Sequence, residues 1–291
     1  MAFQFEQTDK TVQTGVRRIA TEEVESALAA LDDASRPLAE RIHTARKAVK
    51  KLRGLIRLVR PVFAKYDTEN TALREAGRRL SGLREAEVAR ATLASLAEDA
   101  DLSEAETEDV AEPVQDRHAT EHEALARAVE EFRATMVALQ KRAETWRIRG
   151  KEFDALEKGL AGTWKDAGKA MKRALKSGRD KDFHEWRKRA KDHWYQARLL
   201  EPIWPEVMAP HVAAADRLGE ALGEYNDLSV LIRDLAKGDG GDPARAKLVD
   251  EAGKRREALL DEASLLGRRL FAGPADTLTE RWRVWWEVWR A

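Results

Sequence analysis

The chain has 291 residues, enough to bury a core as two domains or as one duplicated domain. Charged residues make up 36% of it with a formal net charge of zero, and glycine (17) and proline (8) are scarce, which favours long amphipathic helices over strands. The absence of cysteine excludes disulfide and thiolate chemistry, the polar N-terminus does not read as a signal peptide, and no apolar run approaches the roughly 18 residues of a membrane span, so a cytoplasmic location with no membrane span is expected.

Helical periodicity runs nearly throughout, and no segment reads as a strand. Helices are expected near 12–33, 37–63, 68–98, 103–145, 150–177, 180–202, 206–237, 243–271 and 275–290. Breaks fall at Pro37, Pro61, Gly150, Ser177-Gly178, Pro202 with Pro205, the 238–243 run and Gly273-Pro274. Ser103 to Glu106 fits a capping box.

The second of these helices carries the first strong signal. His43, Arg46, Lys47 and Lys50 form H-x2-R-K-x2-K, and with Arg53 and Arg57 they fall within an arc of roughly 120° on a helix. Ile42, Val49, Leu52, Ile56, Val59 and Phe63 take the other side and should pack inward. Residues 41–60 hold eight Lys or Arg and no acid, whereas 98–131 hold thirteen Asp or Glu against two Arg, so the charges are segregated along a neutral chain. A solvated helix usually mixes signs, because i,i+4 pairs of opposite charge gain a few tenths of a kcal/mol and like pairs such as Arg46–Lys50 lose as much. A stripe without acids therefore points to an anionic ligand.

The motif returns 141 residues later as His184, Arg187, Lys188 and Lys191, followed by Arg198, with Phe183, Trp186 and Ala190 on the apolar side. Tyr195 joins the basic face, where its hydroxyl could hydrogen-bond an anion. Downstream, Gly77, Leu80, Arg84, Glu85 and Val88 align with Gly219, Leu222, Asn226, Asp227 and Val230 at an offset of 142. The chain is thus read as an internal repeat. Residues 1–145 form the first unit and 146–291 the second. The expected fold is all-α, two four-helix bundles related by a pseudo-twofold axis. Lys165, Lys169, Lys172, Arg173 and Lys176 form a further basic series just before the second motif.

Other chemistry finds little support. Metal sites need clustered ligands, and neither basic stripe has them. His118 and His122, beside Glu121, have metal-type spacing but no accompanying motif, so no metal or other cofactor is expected. There is no phosphate-binding glycine loop, nucleophile elbow or zinc signature, and the chain is read as a binder rather than an enzyme. Trp282, Trp285, Trp286 and Trp289 form a stripe at i, i+3, i+4, i+7 that reads as a helix docking on the bundle, with partner or membrane-surface docking as the alternatives.

The paired segments at 43–61 and 184–202, with 83–88 and 225–230, resemble the CHAD domain (conserved histidine α-helical domain) from about residue 10 to 290. That resemblance implies two four-helix bundles and a central basic groove that binds inorganic polyphosphate in a stand-alone protein. It implies phosphate contacts from His43, Arg46, Lys47, Lys50, Arg53, Arg57, His184, Arg187, Lys188, Lys191 and Arg198, with Lys165 and Lys169 on the preceding basic helix. It further implies association with polyphosphate granules and their other proteins. The chain departs from the pattern at Glu85 and Glu87, at Trp194 where the first copy has Arg53, and in the less basic 164–169 segment, so the first repeat should carry more of the charge. A nucleic-acid module is the competing reading, but the stripes lack interleaved aromatics apart from Trp194 and Tyr195. A protein scaffold is the third, resting on the tryptophan stripe and the acidic 98–131 segment.

Overall fold

A computed structural model describes residues 3–80, 82–100, 102, 107, 122–237 and 242–291, and among them ten α-helices and no strand are found. In chain order these are α1 (Val12–Asp32), α2 (Leu38–Leu58), α3 (Tyr66–Arg79), α4 (Gly82–Asp99), α5 (His122–Ala143), α6 (Asp154–Ser177), α7 (Asp180–Leu200), α8 (Pro205–Leu235), α9 (Pro243–Leu270) and α10 (Ala275–Arg290). No described helix is long and apolar enough to cross a membrane.

Most breaks follow local chemistry. Pro61 and Pro202 each lack the N–H that would continue the ladder, so α2 and α7 end at Leu58 and Leu200 and tighten into short 3-10 turns at Arg60–Val62 and Glu201–Ile203. Gly178 stops α6 in the left-handed region, at φ 66°, with its N–H on Ala174 O. The segment before α6 is irregular because Gly150 and Glu152 both hold positive φ, so that helix starts at Asp154 rather than at 150. The expected continuous helix 68–98 is instead two, broken after Leu80, whose carbonyl accepts from Arg46 Nη1 at 3.0 Å. Residues 103–106 and most of the expected acidic helix before His122 lie outside the described residues, as do residues 238–241.

In the first half α1 packs on α2 and α5, and α3 on α2 and α5; in the second α7 lies between α6 and α8, with α9 on α8. The halves meet where α2 packs on α7 and α6, and α4 leans across onto α8 and α9. There Arg255 of α9 donates to Ser95 Oγ and Asp99 of α4. The core runs through both halves and includes Ile19, Leu52, Ile56, Leu160, Trp186 and Leu218. The tryptophan stripe docks as the periodicity implied: Trp282 and Trp286 are buried, and Trp286 meets Phe5 and Phe153.

Candidate anion-binding site

The two basic helices cross. Gly54 of α2 faces Tyr195 of α7 so closely that a Cβ on the glycine would come within 2.6 Å of the tyrosine Cβ. One turn on, Arg57 forms an ion pair with Asp192, so the helices run antiparallel at the contact. The N-terminal segment straps this crossing: Phe5 N donates to Leu199 O, and Phe3 lies edge-on to Tyr195 with centroids 6.0 Å apart.

Beside the crossing opens a cavity of about 470 Å³. His43, Lys47 and Lys50 of α2 line it together with Arg187, Lys191, Trp194, Tyr195 and Arg198 of α7, and α8 adds Val212, Asp216 and Glu220. Five Lys or Arg thus face two carboxylates, which leaves the cavity electropositive and walled by protein that focuses the field. Lys47 and Lys50 are exposed. The second copy is held more tightly. Lys191 Nζ reaches Asp216 at 2.8 Å and sits 3.5 Å from the Trp194 ring centroid. Burial lowers its pKa, and Asp216 opposes that shift. Gly219 and Gly223 of α8 make room for this packing, since a Cβ at either would collide with the Lys191 stem or the Arg187 guanidinium. Arg198 lies over Trp194 at 5.1 Å, and burial raises the Tyr195 pKa.

The remaining expected residues lie outside the cavity lining. Arg46 caps the end of α3 through Leu80 O. Arg53 donates to Asn70 Oδ1 at 3.1 Å, and burial next to Arg57 lowers its pKa. Arg57 is paired with Asp192, which Arg189 also reaches at 3.3 Å. Burial pushes the Asp192 carboxyl up against the pull of these two arginines. His184 is exposed and Lys188 lies 3.6 Å from Glu185. Partial burial, with Lys188 and Arg187, lowers the His184 pKa. Lys165 approaches Asp276 at 3.5 Å and Lys169 is exposed on α6.

Sequence reading missed Asp216 and Glu220, which sit one turn apart on α8. Their signal was the spacing of Gly219 and Gly223, a pair of small residues on a helix that must admit long side chains. It missed too the pair of buried His193 and half-buried His211, whose Nε2 atoms are 2.8 Å apart. His118 and Glu121 lie outside the described residues, as do the side chains of His122, Glu85 and Glu87. Among the described residues no group of three or more potential metal ligands occurs.

Comparison with known proteins gives two results. Residues 18–236 match the family model of the CHAD domain. A solved structure, PptA from Streptomyces chartreusis, superposes with a TM-score of 0.61 over 89% of this chain and 98% of that one at 13% identity, a likeness of fold. No curated protein matches the chain.

Proposed function

The chain belongs to the CHAD domain family, and from that premise we propose that it binds inorganic polyphosphate, without turning it over, in the cavity between α2 and α7. The observation that carries this reading is that one cavity draws cations from two motif copies 141 residues apart. Arg187 and Arg198 supply bidentate hydrogen bonds to phosphate oxygens, and Lys47, Lys50 and Lys191 supply point charges. Each contact releases condensed counterions, so affinity rises with polymer length and falls with salt.

The contact between repeat-equivalent Gly54 and Tyr195 supports two four-helix bundles related by a pseudo-twofold axis, since such an axis brings equivalent positions together. A cytoplasmic location on polyphosphate granules, alongside other granule proteins, follows from the ligand. Nucleic acid fits less well. Trp194 and Tyr195 are 7% and 4% exposed, and the Trp194 ring is covered by Lys191 and Arg198, so neither offers a stacking platform.

Reversing the charge of Lys47 and Lys50 to Glu, on an exposed face, tests the site. Affinity for tripolyphosphate should fall about 100-fold or more, the equivalent of two lost contacts at about 1.4 kcal/mol each. Five cations at about 0.7 per contact predict a salt slope near −3.5 for the wild type. Unchanged affinity in the variant, or a flat salt response, rejects the cavity as the site. In competition, polyphosphate should displace DNA at far lower phosphate equivalents.

A further inference from the structure

Helix α6 carries a second basic surface. Its buried side, with Leu156, Leu160, Thr163, Ala167 and Ala174, packs on the bundle. Thr163 Oγ1 accepts from Gln196 Nε2 of α7 at 2.9 Å, and Trp164 meets the His193 ring edge-on at 5.2 Å. Lys158, Lys165, Lys169, Lys172, Arg173 and Lys176 are all exposed. At about 100° per residue these six share an arc of about 100° turned away from α7. On α7 itself, Gln196 and His193 point toward α6, while the cavity residues Arg187, Lys191, Trp194 and Arg198 occupy the opposite side of the helix. The α6 stripe and the cavity therefore lie on opposite faces of the α6–α7 pair.

Among the described residues, most of the stripe is also left without ion-pair partners. Lys165 is 3.5 Å from Asp276, but among the described residues no ion pair involves Lys158, Lys169, Lys172, Arg173 or Lys176. Several cations on neighbouring helices are paired: Arg217 with Glu262, Arg233 with Asp180, Lys254 with Asp250. Of the two acids between 155 and 179, Glu157 is taken by Arg283, and Asp166, at the edge of the stripe, acts on Arg189. Like charges at i,i+3 and i,i+4, such as Lys165–Lys169 and Lys172–Lys176, repel by a few tenths of a kcal/mol each, and an anion would relieve them.

We infer that this α6 face is a second polyphosphate-binding surface, back to back with the cavity, so that one protein molecule holds two polymer segments and cross-links them. The inference rests on the cavity reading for its choice of ligand. Lys158 to Lys176 spans about 27 Å along a straight helix, a row suited to an extended polyanion. Between Lys158 and Lys165 the arc shows Gly162, and no exposed aromatic interrupts it, so contacts fall on phosphate rather than on bases.

Light scattering on mixing with long-chain polyphosphate reads the cross-linking, and calorimetric titration with tripolyphosphate reads the cavity alone. Wild-type protein should scatter strongly near charge equivalence and clear in excess polymer. The triple variant Lys169→Glu, Lys172→Glu, Lys176→Glu should lose at least tenfold of that scattering while binding tripolyphosphate within twofold of wild type. The cavity variant Lys47→Glu, Lys50→Glu should lose tripolyphosphate and still bind the long polymer through α6. Wild-type scattering by the α6 triple variant overturns the inference. So does duplex DNA displacing the long polymer from the cavity variant at equal phosphate equivalents. If the cavity variant matches wild type throughout and only the α6 variant loses binding, the cavity reading falls and the two-site cross-linking with it, leaving polymer binding to α6. Circular dichroism melts of each variant verify that these exposed substitutions leave the fold intact.

Discussion

Helices α2 and α7 carry the same H-x2-R-K-x2-K motif and differ at the positions that matter for charge. At equivalent sites α2 has Lys51, Leu52, Arg53 and Gly54 where α7 has Asp192, His193, Trp194 and Tyr195. In the cavity, Lys47 and Lys50 of α2 are exposed, whereas Lys191 of α7 is tied to Asp216 and packed on Trp194. Outside it, Asp192 answers Arg57 across the crossing. The first copy thus presents charge and the second arranges it. A motif that occurs twice does not make two equal sites, because one helix carries acids and aromatics that hold the pair together where the other carries cations.

The buried polar groups of the two halves offer the sharpest contrast, and the largest expected effect on stability. The first half buries Glu69 against Arg142, while the second pairs buried His193 with half-buried His211. Trp164, Phe271 and Trp282 surround the imidazoles. Burial pushes His193 well below its ordinary value and His211 down to about 4. The unfolded chain therefore takes up protons near pH 6.5 that the folded chain refuses. Stability from the pair is complete above that pH and is lost as pH falls toward 4, on the order of 3 kcal/mol for His211 alone. Urea midpoints measured between pH 7 and 4 should fall steeply for wild type and less so for His193→Phe with His211→Leu, which replaces both partners by apolar groups. Equal pH slopes in the two proteins would show that the dyad does not carry the acid sensitivity.

The crossing itself gives the next effect. Gly54→Leu drives a side chain into Tyr195 and should cost about 2 kcal/mol by urea titration. Tyr195→Ala should recover part of that loss in the double variant, a coupling that a double-mutant cycle reads directly. Additive losses would mean that the two residues do not meet as equivalents at the contact.

Much of this was legible because helical periodicity is local. The order of helices, the apolar face of α2 with Leu52 and Ile56, and the docking of Trp282 and Trp286 all follow from spacing within one segment. The break after Leu80 does have a local signal in Ser81-Gly82, the dipeptide that also marks the end of α6 at Ser177-Gly178; what no local pattern shows is that the freed carbonyl is met by Arg46, 34 residues away. The site was half legible for the same reason. Spacing placed His43, Lys47 and Lys50 on one face of α2, and Arg187, Lys191 and Arg198 on one face of α7. It could not reveal that Arg57 is spent on Asp192, or that α6 turns Lys165 and Lys169 to the far side, because both depend on which helix lies next to which.

The smallest effect probes the inequality of the two lysines. Lys50 and Lys191 are repeat equivalents, and both line the cavity. If charge alone governed binding, their alanine variants would weaken polyphosphate equally. Asp216 already answers Lys191 at 2.8 Å, so a phosphate must compete with a carboxylate for that ammonium. Lys50→Ala should weaken binding about tenfold, near 1.4 kcal/mol, and Lys191→Ala only about threefold. Asp216→Asn removes the competitor, and should tighten binding about threefold and steepen the salt slope by about 0.7, as one more ammonium becomes available to the polymer. Weaker binding by Asp216→Asn would reverse the assignment: the carboxylate would then be holding Lys191 in place for the ligand rather than withholding it.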